Sequence, residues 1–178
     1  MNDSASRNPV LYIFSGLPGC GKSTLSRALA RLTGAVHLRI DTIEQALHDL
    51  GHAVVRDEGY RIAYAIAADN LRLGSSVVAD SCNPVAATRQ AWERVATNAH
   101  ATHVNIEVVC SDAGEHRRRV EARLASAPGT HEPGWQEVVQ REYHPWTGDR
   151  IVIDTAGCDE AACIALLNSR LASLRTAT

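Results

Sequence analysis

The sequence is poor in aromatic residues and carries no strong charge of either sign. Aromatic side chains make up 4% of the 178 residues, and Phe14 is the only phenylalanine. Such a chain offers no obvious platform on which the bases of a single-stranded nucleic acid would stack. Its 18 Lys and Arg against 20 Asp and Glu give a net charge of −2. No general basic field therefore attracts nucleic acid.

Long apolar runs, paired cysteines and zinc motifs are missing as well. No stretch approaches the roughly 18 apolar residues of a membrane span, and the polar N-terminus lacks the apolar centre of a signal peptide. We therefore expect no membrane association. The five cysteines contain no C-x-x-C pair and the eight histidines no H-E-x-x-H motif. These absences argue against a structural zinc site and against metalloprotease chemistry.

Residues 16–23 match the phosphate-binding pattern G-x-x-x-x-G-K-[ST]. An apolar β-rich run over 10–14 precedes this loop, and a helical pattern follows it. Glycines let the backbone turn N–H groups toward phosphate oxygens, and the helix adds its positive end. We expect the loop to bind ATP, with Lys22 on the β- and γ-phosphates and Ser23 on Mg²⁺. The predicted cofactor-binding residues of the loop are Gly16, Pro18, Gly19, Cys20, Gly21, Lys22, Ser23 and Thr24.

Predicted strands alternate with predicted helices along the whole chain. The strands are 10–15, 35–40, 75–79, 102–109 and 150–153. The helices run from the phosphate loop to 33 and then over 42–50, 60–73, 84–99, 113–126, 135–143 and 159–174. This alternation predicts an α/β fold with three layers, in which a parallel five-stranded sheet has helices on both faces. We expect residues 1–8 to be a disordered lead-in and 9–178 to be a single domain.

The residue pattern predicts an apolar side for one helix and the N-terminal residues of another. In the helix over 60–73, the spacing of the apolar residues places Ile62, Ile66 and Leu73 on one side. In the helix over 84–99, Asn83 has the residue type of an N-cap, and Pro84 suits the first helical position.

Two acidic residues follow predicted strands, where parallel sheets bind ligands. Asp41 is placed to act as general base on an acceptor hydroxyl opposite the γ-phosphate. Alternatively it caps the next helix, because 41–44 has the spacing of a capping box. Asp80 ends the apolar run 77–79, where phosphate-loop enzymes hold Mg²⁺ or substrate. We favour that role for Asp80 over the alternative of a turn-forming residue.

A local cationic cluster consists of His116, the three arginines at 117–119, and Arg123. Arg119 and Arg123 share one helical face, and a mobile lid over about 112–133 would bring them onto a triphosphate. The alternative is a solvated helix face with Glu115 and Arg119 as a surface pair. Arg89 is predicted either to contact an anionic substrate or to pair with Glu93.

The segment 141–146 is aromatic in an aromatic-poor chain. It lines a substrate pocket or fills a gap between lid and sheet, and we favour the second interpretation because large aromatic side chains stabilise mainly through burial.

At five stretches the chain resembles the small P-loop kinases of the nucleoside-monophosphate-kinase-like fold, and most closely the polynucleotide-kinase-like and zeta-toxin-like group. The resemblance spans most of the chain. It implies that Asp41 is the base, that Lys22, Arg119 and Arg123 act in catalysis, and that Asp80 serves metal or acceptor. It also implies that Thr155, Ala156 and Gly157 pass beside the adenine. The matching stretches are GLPGCGKSTL at 16–25, LRID at 38–41, 77–96, 116–123 and 141–157.

Together these features predict a cytoplasmic enzyme that uses ATP and Mg²⁺ to phosphorylate a hydroxyl of a small molecule such as a metabolite, nucleoside or antibiotic. The first alternative is a polynucleotide 5′-hydroxyl kinase, which the mild negative charge disfavours. The second is a nucleotide-binding switch without an acceptor. The chain has no N-K-x-D string, which weighs against a GTPase. We expect a monomer or a homodimer.

Overall fold

Strands and helices alternate along the chain as the sequence predicts. The structure is a computed structural model that describes residues 8–52, 57–126 and 132–176. The strands are β1 (Val10–Ser15), β2 (Val36–Arg39), β3 (Val77–Asp80), β4 (Thr102–Val109) and β5 (Ile151–Asp154). The helices are α1 (Lys22–Thr33), α2 (Ile40–Asp49), α3 (Glu58–Arg72), α4 (Ala86–Asn98), α5 (Ala113–Ser126), α6 (Trp135–Gln140) and α7 (Glu160–Thr176).

The five strands form one parallel sheet in the order β2-β3-β1-β4-β5. Asp80 at the end of β3 lies in register with Phe14 of β1 on one side and Arg39 of β2 on the other. The carboxyl ends of these three strands therefore meet at one edge of the sheet, where parallel sheets bind ligands. The predicted parallel α/β fold is confirmed.

Two apolar cores, one on each face, hold the layers together. On one face, α1 and α7 pack on the sheet through residues such as Leu25 and Leu167. On the other, α3 and α4 pack through residues such as Ala67 and Trp92. Burial of this apolar area is the main stabilising contribution.

The apolar side predicted for α3 is not its buried face. Ile62 and Ile66 are 38% and 39% exposed, while the small residues Ala63 and Ala67 are fully buried. Alanines on this face allow the helix to approach the sheet closely, which a periodicity of large side chains does not reveal.

Several helix boundaries differ from the predictions. Helix α2 begins at Ile40, because β2 pairs with β3 only over 36–39. Helix α4 begins at Ala86, so Asn83 is not its N-cap. Asn83 instead has a left-handed backbone with φ 45° and donates from its buried side chain to the carbonyl oxygen of Phe14 at 2.9 Å.

Parts of two predicted segments lie outside the described residues: 1–7 of the lead-in and 127–131 of the lid. Within the described ranges, no helix combines the length and apolarity needed to cross a bilayer.

Candidate active site

The phosphate loop lies between β1 and α1 in a backbone conformation that requires glycine. Gly16 has φ +140°, and a Cβ there would lie 2.1 Å from the carbonyl oxygen of Val108. Gly19 has φ +83°, and a Cβ there would lie 2.5 Å from a side-chain carbon of Val120 in α5. Both positions therefore exclude a side chain, which lets the loop pack between β4 and α5.

The loop presents free backbone donors at the start of α1. Within the described part of the chain, the amides of Gly19, Gly21 and Ser23 donate to no protein acceptor. By contrast, the amide of Gly16 donates to the carbonyl oxygen of Cys82 at 3.1 Å, which ties the loop to the end of β3. Unpaired amides at a helix N-terminus form a site for an anion such as phosphate.

Lys22, the only lysine in the sequence, is the first residue of α1 and is 9% exposed. Burial alone would lower the pKa of its ammonium group, but nearby acidic groups, Asp80 among them, outweigh burial and hold that pKa above its ordinary value. Lys22 therefore remains a cation beside the free amides. The Cys20 thiol itself is buried, and burial raises its pKa, so it is not a reactive thiolate.

Asp80 is buried at the end of β3, as predicted, and keeps its charge. Burial favours the neutral acid, but His37, Lys22 and Ser23 outweigh it and lower the pKa of Asp80 to about 2. The His37 Nε2 atom lies 3.7 Å from Oδ2 of Asp80.

One oxygen of Asp80, the buried Oδ2 atom, accepts no hydrogen bond among the described residues, and its neighbours His37 Nε2 and Arg39 Nε lie at ion-pair distances of 3.7 and 4.0 Å. The turn-forming alternative is therefore not supported, since that role needs a bond to the following backbone. A buried carboxylate oxygen without a donor fits a cation or its water shell.

Asp41 lies in the first turn of α2 and is more exposed than Asp80. Its Oδ2 atom accepts a hydrogen bond from Arg39 Nη2 at 2.7 Å and lies 3.7 Å from Arg123 Nη2. The capping interpretation is wrong, because α2 begins one residue earlier and its N-cap position is Arg39, without a side-chain cap. Asp41 instead faces a cavity.

Two cavities meet at the phosphate loop. The first, of about 530 Å³, is lined by the loop, α1, Arg119 and the start of α7. The second, of about 540 Å³, is lined by α2 and the end of β3 and includes Asp41 and Asp80. We call them the nucleotide cavity and the acceptor cavity. The residues that line both are Lys22, Arg39, Arg123 and Glu132.

Thr155 supports the loop from the end of β5. Its hydroxyl oxygen lies 3.0 Å from the carbonyl oxygen of Cys20 and 3.1 Å from that of Val109. The same oxygen accepts a hydrogen bond from Arg119 Nη1 at 2.7 Å. Thr155 also lines the nucleotide cavity, as its predicted position beside the nucleotide requires.

Ala156 and Gly157 are tied to protein groups by their backbone amides. The Ala156 amide donates to Asp154 and the Gly157 amide donates to Glu115. Neither residue is among those that line the nucleotide cavity. Contact of these two residues with adenine remains a prediction from sequence.

Helix α5 packs directly on the phosphate loop. His116, which sequence reasoning noted only as part of a charge cluster, is buried, and its Nε2 atom lies 2.8 Å from the carbonyl oxygen of Pro18. Arg119 donates to Thr155 and to Glu115, so the predicted pair with Glu115 exists. Arg123 pairs with Glu132 at 2.5 Å and borders both cavities. Helix α5 thus connects the loop, the end of β5 and the acceptor cavity.

Arg89 does not reach the site, in contrast to its predicted contact with substrate. It is 4% exposed, and it lines neither the nucleotide nor the acceptor cavity. Its guanidinium stacks on Tyr143 and Trp146 at 4.9 and 4.2 Å. It does not pair with Glu93, whose carboxylate accepts from Asn105. Its donors instead reach the carbonyl oxygens of Asn83, Pro84, His144 and Pro145.

The aromatic residues of the segment 141–146 pack on the sheet and on Arg89, with no contact to α5 among the described residues, while Arg141 lines the acceptor cavity. Besides its stacking on Arg89, the Tyr143 hydroxyl donates to the buried Glu107 at 3.2 Å. The His144 amide donates to the carbonyl oxygen of Pro84 at 2.7 Å. The segment therefore connects β4 to the start of α4.

A protein-family model described as an AAA domain matches residues 11–141. This range includes the phosphate loop, Asp41, Asp80 and α5. The chain belongs to that family. As a member it is a small P-loop kinase-like, ATP-binding domain, and the resemblance predicted from the sequence is confirmed. No curated protein matches the sequence.

Solved structures share the fold over nearly the whole chain. A putative kinase from Chloroflexus aurantiacus is 23% identical with a TM-score of 0.73, covering 92% of this chain and 98% of its own. A gluconokinase from Sinorhizobium meliloti is 17% identical with a TM-score of 0.68, covering 94% of each chain. Kti12 from Chaetomium thermophilum, solved with ADP-AlF3, is 22% identical with a TM-score of 0.68, covering 90% and 97%. At these identities the likeness shows the fold alone.

Proposed function

We propose that the protein is a kinase that transfers the γ-phosphoryl group of ATP to a hydroxyl group of a small molecule. The observation that carries this proposal is that the nucleotide cavity and the acceptor cavity share several lining residues. Lys22, Arg39 and Arg123 line both of them, so three cations lie where one cavity opens into the other. A phosphoryl group passing between the cavities needs its charge neutralised at that place.

The nucleotide cavity supplies binding groups for the triphosphate. Free amides of the loop and Lys22 would hold the β- and γ-phosphates. Thr155 and Arg119 position the loop from the side, so we assign Arg119 to holding that arrangement and Arg123 to the charge that develops during transfer. The predicted contacts of Pro18, Cys20, Thr24, Ala156 and Gly157 with the nucleotide are part of the same proposal.

Ser23 and Asp80 fit a magnesium ion. The described residues hold no group of three or more His, Cys, Asp or Glu that would bind a metal by themselves. Mg²⁺ commonly takes one carboxylate together with phosphate oxygens and water, which matches a single buried carboxylate oxygen that accepts no hydrogen bond. When bound, Mg²⁺ would neutralise charge on the β- and γ-phosphates.

Asp41 is the proposed general base. It lines the acceptor cavity and lies close enough to Lys22 to raise the pKa of that ammonium group. A carboxylate there would accept the proton of the attacking hydroxyl, while Arg39 orients it through the 2.7 Å hydrogen bond. Asp41 is therefore both catalytic and in contact with the acceptor.

The size of the acceptor cavity favours a small molecule over a nucleic-acid end. Its volume of about 540 Å³ lies within the usual range for small-ligand sites. The net charge of −2 also gives little neutralisation of a phosphate backbone. A cytoplasmic location is part of the proposal, since ATP and free thiols are maintained there.

The experiment is identification of the labelled product. The protein is incubated with Mg²⁺, γ-labelled ATP and pools of hydroxyl compounds, with 5′-hydroxyl DNA and RNA oligonucleotides as separate pools. We expect the label in a phosphate ester of a small molecule, and its loss in the Lys22→Ala variant. Label found only on oligonucleotide ends would show that the acceptor is a nucleic-acid 5′-hydroxyl group rather than a small molecule. Label only in inorganic phosphate would contradict the proposal and favour a nucleotide-binding switch.

A further inference from the structure

A second carboxylate lines the acceptor cavity one helical turn beyond Asp41. Glu44 follows Asp41 by three residues on α2, so the two side chains lie on the same face of the helix. Both belong to the wall of the acceptor cavity, and Glu44 is half-buried there. Three residues of an α-helix correspond to a rise of about 4.5 Å, so Glu44 lies that far along the axis of α2 from Asp41.

The two carboxylates have different surroundings. Asp41 accepts a hydrogen bond from Arg39, but Glu44 accepts none within the described residues. Burial, and then the negative charge of Asp41, raise the pKa of Glu44 above its ordinary value. Glu44 is thus a half-buried acceptor of hydrogen bonds without a donor, beside the carboxylate that we assign as base.

Gly59 makes the room that Glu44 occupies. A Cβ on Gly59 would lie 2.6 Å from Cγ of Glu44 and 3.0 Å from its Oε1 atom. Gly59 lies in the first turn of α3 and does not have a positive φ, so its backbone does not require glycine. The absence of a side chain at Gly59 instead leaves the space that the Glu44 side chain fills.

The other residues that line the acceptor cavity indicate the chemical class of its ligand. Among its described residues there is no Phe, Tyr or Trp, so the imidazole of His48 is the one ring there on which a nucleobase could stack. Its charges nearly balance, since four cations (Lys22, Arg39, Arg123 and Arg141) face five carboxylates (Asp41, Glu44, Asp49, Asp80 and Glu132). A neutral polar ligand fits such a wall better than a strongly charged one.

We propose that Glu44 is a specificity-determining residue that accepts a hydrogen bond from a second hydroxyl of the acceptor, so that the acceptor is a small neutral polyol or sugar. This inference rests on the proposed function. Asp41 holds the reacting hydroxyl, and Glu44 holds another hydroxyl of the same molecule one helical turn away. A compound with one hydroxyl leaves Glu44 without a donor and binds less well.

Two variants change Glu44 in different ways. Glu44→Gln removes the charge and keeps the shape, while Gly59→Ala keeps the carboxylate and displaces it. Glu121→Gln, an exposed carboxylate on α5, is the matched control. The acceptors are glycerol, a pentitol, an aldopentose and an aldohexose, compared with nucleosides and simple monohydroxy alcohols. Transfer from γ-labelled ATP gives kcat and KM, and ligand-observed NMR with a non-hydrolysable ATP analogue gives binding.

We expect labelling of at least one polyol or sugar. Both variants should raise its KM by on the order of tenfold, the effect of losing one charge-assisted hydrogen bond, with kcat within about threefold of the parent. Gly59→Ala should not lower the melting temperature, because alanine suits a helix better than glycine. A purely structural role of Glu44 would lower the melting temperature and leave KM unchanged, which would overturn the inference.

The other outcomes separate this inference from the proposed function. Labelling restricted to nucleosides or monohydroxy alcohols would leave the kinase proposal standing and overturn the polyol assignment. Polyol binding that weakens in Glu44→Gln without any transfer would support the inference and contradict the kinase proposal. Absence of both labelling and binding of polyols would overturn the inference.

Discussion

The nucleotide side and the acceptor side of the site are built from different parts of the molecule. The nucleotide side consists mainly of backbone: free amides, glycines that exclude side chains, and one buried lysine, all within eight consecutive residues. The acceptor side consists of charged side chains from α2, the end of β3 and α5. A site made of backbone recognises a feature common to all nucleoside triphosphates, whereas a site made of side chains selects one molecule among many.

This difference explains what each side tolerates. The backbone cradle depends on glycine at fixed positions, since a Cβ at Gly16 meets the carbonyl oxygen of Val108. The acceptor wall depends on ion pairs between side chains, because Arg39 pairs with Asp41 and Arg123 pairs with Glu132. Substitutions in the loop should therefore abolish transfer, whereas substitutions in the acceptor wall should lower the transfer rate or change which acceptor is used.

The largest effect is expected for Lys22→Ala, which removes the cation shared by both cavities. Transfer should fall by about 10³-fold, the scale of losing a preorganised charge contact to the transition state. Measured kcat/KM and the melting temperature separate chemistry from folding. Arg31→Ala, which removes a cation from the last turn of the same helix, should leave the rate unchanged. Near-parental activity in Lys22→Ala would contradict the assignment of this loop as the nucleotide side of the site.

A smaller loss, of about 10²-fold in transfer with ATP binding retained, is expected for Asp41→Asn, because the amide cannot take a proton. Single-turnover rates and ATP titrations measure the two quantities. Asp69→Asn, an exposed carboxylate on α3, is the control for the substitution itself. A transfer rate within about threefold of the parent would show that the acceptor side works without Asp41 as base.

Thr155→Val should weaken ATP binding by about tenfold and lower stability by about 1–2 kcal/mol. The substitution keeps the shape of the side chain but loses the hydroxyl bonds to the loop and to Arg119. Calorimetric titration and urea unfolding test the two effects. Thr97→Val removes an exposed hydroxyl bonded only to Glu93, so it should change neither quantity measurably. Unchanged ATP affinity in Thr155→Val would show that the loop holds its shape without β5.

The smallest kinetic effect is expected for Arg89→Gln, although it should cost about 2–4 kcal/mol of stability. Four carbonyl oxygens and two aromatic rings lose their partner, while neither the nucleotide nor the acceptor cavity loses a wall residue. Urea unfolding and steady-state kinetics are compared on the same preparation. A raised KM for the acceptor with unchanged stability would restore the substrate role predicted from the sequence.

The sequence was most informative where function and local structure coincide. The phosphate loop specifies a strand, a turn and a helix within about 20 residues, so its position was predictable without tertiary information. Asp80 was predictable for a related reason, since the end of a buried strand fixes where its side chain lies. The alternation of strands and helices likewise predicts the layers of the sheet.

The predictions failed where distant segments decide the outcome. Arg89 is followed by a glutamate at helical spacing, yet its partners are carbonyl oxygens near 84 and 144, which no local pattern indicates. His116 contacts the loop nearly a hundred residues away in sequence. Gly59 has meaning only beside Glu44 of another helix. Sites made of side chains, such as the acceptor cavity, are assembled by such contacts. The sequence can therefore indicate that such a site exists, but it does not reveal which residues line it.

The stoichiometry of ATP consumption tests the central claim most directly, because the claim is that both cavities act on one phosphoryl group. ADP, inorganic phosphate and phosphate ester are quantified together while an acceptor found in the labelling experiment is varied from zero to saturation. The account predicts that the acceptor accelerates ADP formation and that nearly every ADP is matched by one phosphate ester. ADP formation that is independent of the acceptor and matched by inorganic phosphate would contradict it.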